Sequence, residues 1–124
     1  MKTLKLLLPL FLLAGAIFIK HTQPKAKLKG MYIMEGATCA GLQFIDDANV
    51  NFINEIGCEP WALRTKWLDD KTFYAVEKEK ANPNCPPRVM VYTIISHDGK
   101  TLKLKEYWTG WGNLKDEVVV YRKK

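Results

Sequence analysis

The sequence predicts an all-β fold: an eight-stranded antiparallel up-and-down barrel after an N-terminal signal or anchor segment. Three observations carry this expectation. Beyond residue 29 apolar residues recur with a period of two, no amphipathic run of helical length follows the leader, and short and long connections alternate along the chain. The 124 residues suffice for one domain. With 48% hydrophobic and 26% charged residues, a wholly disordered chain, a collagen and a polytopic membrane protein are excluded.

Residues 1–19, MKTLKLLLPLFLLAGAIFI, form the first element. Lys2 and Lys5 precede an apolar run from Leu6 to Ile19, and Ala14-Gly15-Ala16 supplies small residues for cleavage, as in a secretory signal. The alternative is an uncleaved membrane anchor. Leu4 to Ile19 is 16 residues, short of the ~20 that span hydrocarbon, although the run continues past Ala16. Both readings export the rest of the chain, to a periplasm or medium, or to the outer face of a membrane. Residues 20–29, polar and carrying Pro24, read as a linker to a barrel domain of residues 30–124. Six of the 19 basic residues lie in 1–29, and the thirteen that remain balance all thirteen acidic residues. A basic nucleic-acid footprint on the folded part is therefore not expected.

Strands are expected at 30–35, 41–45, 49–54, 61–68, 72–78, 88–96, 100–108 and 116–122. In the second, third, fourth and seventh, Leu42, Phe44, Val50, Phe52, Leu63, Trp67, Leu102 and Leu104 alternate with polar or small residues, which places them on one inward face. The first, fifth, sixth and eighth strands carry apolar residues on both faces, so period two assigns no inward set there. Asp46-Asp47-Ala48, Asp69-Asp70-Lys71 and His97-Asp98-Gly99 read as tight turns. The other connections are longer. In an up-and-down barrel alternate connections lie at opposite ends, so all the longer loops gather at one mouth.

A resemblance follows from particular residues. Leu28-Lys29-Gly30-Met31-Tyr32 resembles the Gly-x-Trp start of lipocalin-like barrels, with Tyr where they have Trp. Gly41-Leu42-Gln43-Phe44 and Val50-Asn51-Phe52 resemble their early hairpin, and Val118-Val119-Val120-Tyr121-Arg122 is similar to a closing strand. The Thr-Asp-Tyr second motif and the C-terminal helix of lipocalins are absent. The resemblance implies an antiparallel barrel that binds a small, often apolar, molecule.

Three cysteines, Cys39, Cys58 and Cys85, fall in three of the longer loops. In an exported chain they are expected to give one disulfide and one free thiol. Cys39 immediately precedes one strand of a hairpin and Cys58 closely follows its partner, which favours Cys39–Cys58; Cys58–Cys85 is the alternative. A three-thiolate metal site lacks any C-x-x-C pair and a nearby histidine, so no metal is expected. Trp108 and Trp111 flank Gly110 in the last long loop, where rings beside glycines form a stacking surface. Trp108 shares the parity of Leu102 and Leu104, which also suits a ring capping the core. Glu106 shares that parity, and a carboxylate turned into a barrel needs a cationic partner or water. With Trp61 these residues make up the expected ligand-binding set: Trp61, Glu106, Trp108 and Trp111.

No H-E-x-x-H, G-x-S-x-G or phosphate-cradling glycine loop occurs. His21 lies in the linker and His97 in a tight turn away from the cysteines, so a Cys–His nucleophile pair is disfavoured. The expectation is a non-enzymatic exported barrel without cofactor, binding a small apolar or aromatic molecule at its loop end. A structural or protein-interaction domain of the cell envelope is the alternative. Membrane contact is expected only through residues 4–19, if they are uncleaved.

Overall fold

The computed structural model describes residues 28–80 and 82–124. The signal-or-anchor segment 1–19 and linker residues 20–27 lie outside these. The strands are β1 (Gly30–Met34), β2 (Gly41–Asp46), β3 (Asn49–Ile53), β4 (Pro60–Trp67), β5 (Thr72–Glu77), β6 (Val89–His97), β7 (Thr101–Tyr107) and β8 (Glu117–Lys123). Every expected boundary falls within one residue of the observed one. The strands form a closed antiparallel barrel in sequence order, with β1 paired to β8 across the seam. Each strand therefore has two partners, and the barrel has no open sheet edge.

Local chemistry sets the turns. Asp46 Oδ1 accepts the Ala48 amide at 2.8 Å. Asp69 Oδ1 accepts those of Lys71 and Thr72 at 2.8 and 2.7 Å, and Asp98 Oδ1 those of Lys100 and Thr101 at 2.9 and 2.7 Å. These bonds hold each Asp ionised and lower its pKa. A register shift between Phe44 and Asp46 and another between Ile94 and Ser96 mark bulges at this end of the barrel. Gly41 is required by the β1–β2 contact, where a Cβ would overlap the Tyr32 carbonyl.

One continuous cluster of buried side chains occupies the interior, rich in aromatic rings: Tyr32, Phe44, Phe73, Tyr92 and Tyr121. Leu42, Phe44, Val50, Leu63, Leu102 and Leu104 are buried as expected. Phe52 and Trp67 pack against the cluster but are half-buried, because each lies close to an end of the barrel rather than in its middle layers. The first strand begins at Gly30, and Leu28, from the expected linker, is only 6% exposed and packs into the core. His97, expected in a turn, is the last residue of β6, and its Nε2 shares a 3.0 Å hydrogen bond with the Tyr32 hydroxyl.

Connections 35–40, 54–59, 78–88 and 108–116 all leave one end of the barrel, the loop end. The three short turns, Leu28 and the carboxy-terminal Lys124 lie at the other. No helix of the described residues is long and apolar enough to cross a membrane.

Candidate functional site

The loop end is built from its fastenings upward. Cys39, between β1 and β2, and Cys58, between β3 and β4, form a disulfide with a Cα–Cα separation of 5.8 Å. The Cys58–Cys85 alternative is thereby excluded, and Cys85 is free and exposed. Gly57 and Cys58 both take positive φ, 81° and 55°, which turns the chain sharply back toward β4. Beside the disulfide, the Glu55 carboxylate accepts three consecutive backbone amides, those of Thr38, Cys39 and Ala40, at 2.8, 3.0 and 2.8 Å. These three donors lower the Glu55 pKa to about 2, since they favour the charged form. Two adjacent loops are thus clipped together twice, once covalently and once by charge.

The 108–116 loop is held differently. The Trp108 amide donates to Asp116 Oδ1 at 2.9 Å, its indole N–H donates to the Gly112 carbonyl at 3.3 Å, and the Thr109 hydroxyl donates to the Val89 carbonyl at 2.7 Å. A Cβ on Gly110 would strike the Trp108 ring. Trp108 therefore does not cap the core; its ring covers its own loop and remains 43% exposed. The strand pattern that suggested capping ends at Tyr107, one residue earlier. Trp111 projects almost fully into solvent.

Inside the mouth, alternation places Glu106 between Tyr92 of β6 and Glu117 of β8, its direct cross-strand partners. Burial raises the Glu106 pKa, and the Glu117 charge raises it further. Tyr92 and Tyr121 are buried, and both phenols are pushed up by burial and by the Glu106 charge. On the facing wall, the Phe52 and Trp61 ring centroids are 6.1 Å apart. The Arg88 guanidinium lies 4.8 Å from the centre of the Trp61 ring and 3.7 Å from Glu77. A separate groove of about 250 Å³ runs over the outer wall, where Met31, Ile33 and Ile53 lie beside the disulfide.

The structure therefore brings all four expected ligand-binding residues to one end. Trp61 and Glu106 line the mouth, while Trp108 and Trp111 stand on the rim. Among the described residues no ring contact or hydrogen bond joins these four to one another. Missed from the sequence were Glu55, Glu77, Arg88, Tyr92, Glu117 and Tyr121. Inward parity on β7, extended across the register to β6 and β8, was the available signal for Tyr92 and Glu117. The Glu55 clip leaves no such pattern, because its acceptor and donors lie 15 to 17 residues apart on different loops. His97 is at the turn end and Cys85 in a loop at the opposite end, so these two do not meet. With Cys39 and Cys58 joined, the three cysteines do not form a three-thiolate set.

No family model, curated protein or solved structure matches this chain.

Proposed function

We propose that this barrel is a non-enzymatic binding domain of an oxidising compartment, engaging a protein partner through its loop end. One observation carries the reading. Of the ten large apolar side chains exposed among the described residues, seven stand at the loop end: Ile56, Trp61, Val89, Trp108, Trp111, Leu114 and Val118. Exposed apolar and aromatic surface concentrated in one place is the usual mark of a recognition surface. The Cys39–Cys58 disulfide supports exported chemistry, since such bonds persist where thiols are not kept reduced. With the apolar leader it favours a periplasmic, secreted or membrane-anchored protein.

A lipocalin-like carrier of a small apolar molecule is the second reading. The closed eight-stranded meander and the Gly30–Tyr32 start support it. The continuous interior cluster weighs against a ligand held deep in the barrel and moves any such ligand to the mouth.

Site-specific photo-crosslinking in the native envelope tests the proposal. A benzophenone side chain at Trp111 is expected to yield one discrete protein adduct, and one at Leu68, at the turn end, none. Adducts at Leu68 alone, or equally at both sites, would overturn it. A stoichiometric small molecule released from the native protein on denaturation would favour the second reading.

A further inference from the structure

We propose that the barrel mouth binds an organic cation: an ammonium or guanidinium group on an apolar stem, seated against Glu106. The proposal rests on the loop end being the binding end, and it specifies the chemistry received there.

Glu106 is half-buried on the inner wall, and among the described residues it has neither a hydrogen bond nor an ion pair. A desolvated carboxylate facing a second carboxylate, Glu117, is costly for the fold. Other carboxylates of the loop end are matched: Glu55 to three amides, Glu77 to Arg88, Asp116 to Lys105 and to the Trp108 amide. Glu106 is the half-buried member of this Glu106–Glu117 pair, and among the described residues neither has a partner of opposite charge.

A second feature points the same way. Tyr121, 2% exposed on the neighbouring strand β8, shares the inward face with Glu106, whose charge raises its phenol beyond the effect of burial, and it makes no hydrogen bond among the described residues. The sealed side-chain oxygen lacking a partner is that of Thr65, not Tyr121, so the Tyr121 hydroxyl is not completely sealed. The Tyr92 hydroxyl, paired only with the Met90 sulfur at 3.3 Å, is the other acceptor there. Half-buried Met90 and Val119 supply apolar surface for a stem. Two neutral oxygens, one carboxylate and polarisable apolar surface suit a cation with a short apolar tail. The opposite wall already holds such a group: Arg88 lies over Trp61 and is anchored by Glu77.

The test uses the full chain with its disulfide intact. Phenethylammonium chloride is titrated into the protein while the Met90 methyl and tyrosine ring resonances are followed. Saturable shifts at Met90 and Tyr121 are expected, with 2-phenylethanol binding at least tenfold more weakly. Affinity should fall as pH drops through the raised Glu106 pKa, because protonation removes the charge that Tyr92, Tyr121 and Glu117 face. Glu106→Gln should lose at least tenfold in affinity while keeping or raising the melting temperature at neutral pH. Equal binding of alcohol and ammonium, no saturable binding, or unchanged affinity in Glu106→Gln would overturn the proposal. So would a lowered melting temperature in that variant, which would assign Glu106 a structural role. A lysine within a short apolar peptide serves as a further probe. Tighter binding than phenethylammonium identifies a protein side chain as the source, and weaker binding a free amine. Both require the cation site, which stands or falls separately from the crosslinking at Trp111.

Discussion

At the scale of single residues, one sealed polar atom among the described residues lacks a partner. Thr65 points inward on β4, and its hydroxyl is sealed without a hydrogen-bond partner among the described residues. An unsatisfied buried hydroxyl costs about 1–3 kcal/mol, and valine has nearly the same shape. Thr65→Val is therefore expected to stabilise the barrel by about 1 kcal/mol in urea unfolding; a destabilised variant would mean that the hydroxyl has a partner. Phe44 and Phe52 share a face but not a depth. Phe44 is 4% exposed and meets the rings of Tyr32 and Phe73 at centroid distances of 5.8 and 5.9 Å. Truncating it to Ala should cost about 3–5 kcal/mol, as for a fully buried aromatic. Phe52 lies at the half-open mouth, and Phe52→Ala should cost roughly half as much, since it loses less buried area. Equal losses at the two positions would contradict this layering.

At the scale of elements, charge and steric fit decide how neighbouring segments meet. The Glu55 carboxyl titrates at about 2 in the folded protein, against about 4.3 in an unfolded chain. Its pKa is depressed, so the stabilisation it lends is fully present above the unfolded value and lost as pH falls from there toward 2. Amide hydrogen exchange at Thr38, Cys39 and Ala40 is therefore expected to accelerate across that window, beyond the intrinsic pH dependence, while the β6–β7 ladder stays protected. Loss of protection in both places together would argue against a local clip. Gly41 makes the matching steric prediction. Because a side chain there would meet the Tyr32 carbonyl, Gly41→Ala should cost about 1–3 kcal/mol through displacement of β1. The strands themselves were legible because β2, β3, β4 and β7 alternate strictly, and aspartates mark the turns. The aromatic half of the core was not. Tyr32, Phe73, Tyr92 and Tyr121 lie on strands apolar on both faces, where period two cannot choose a side and only the cross-strand register does. Of the mouth, Glu106 and Trp61 were readable by parity, whereas the Arg88 contact depends on how a loop returns to β6.

At the scale of the whole molecule, the seam is the weakest join in the ring. Three residue pairs link β1 to β8 and four link β1 to β2, whereas β6–β7 and β7–β8 each have six. Leu28, buried at the turn end, also belongs to the segment entering β1. What compensates is at the opposite end: the Cys39–Cys58 bridge and the Glu55 clip both fasten the loop leaving β1 to the loop between β3 and β4. Closing a loop of 19 residues removes chain entropy from the unfolded state worth about 3 kcal/mol. The bridge also restrains the one strand that has the fewest ladder bonds. Sub-global opening should therefore begin with β1 peeling away from β8 and β2. In native-state hydrogen exchange the amides of Tyr32, Ile33 and Met34 are expected to exchange with lower opening free energies than those of β6 and β7. Reduction of the disulfide should widen that gap, because it releases the far end of β1 while leaving the β6–β8 ladders untouched. Uniform exchange across all eight strands, before and after reduction, would mean that the barrel opens only as a single unit and that the bridge acts on the unfolded chain alone.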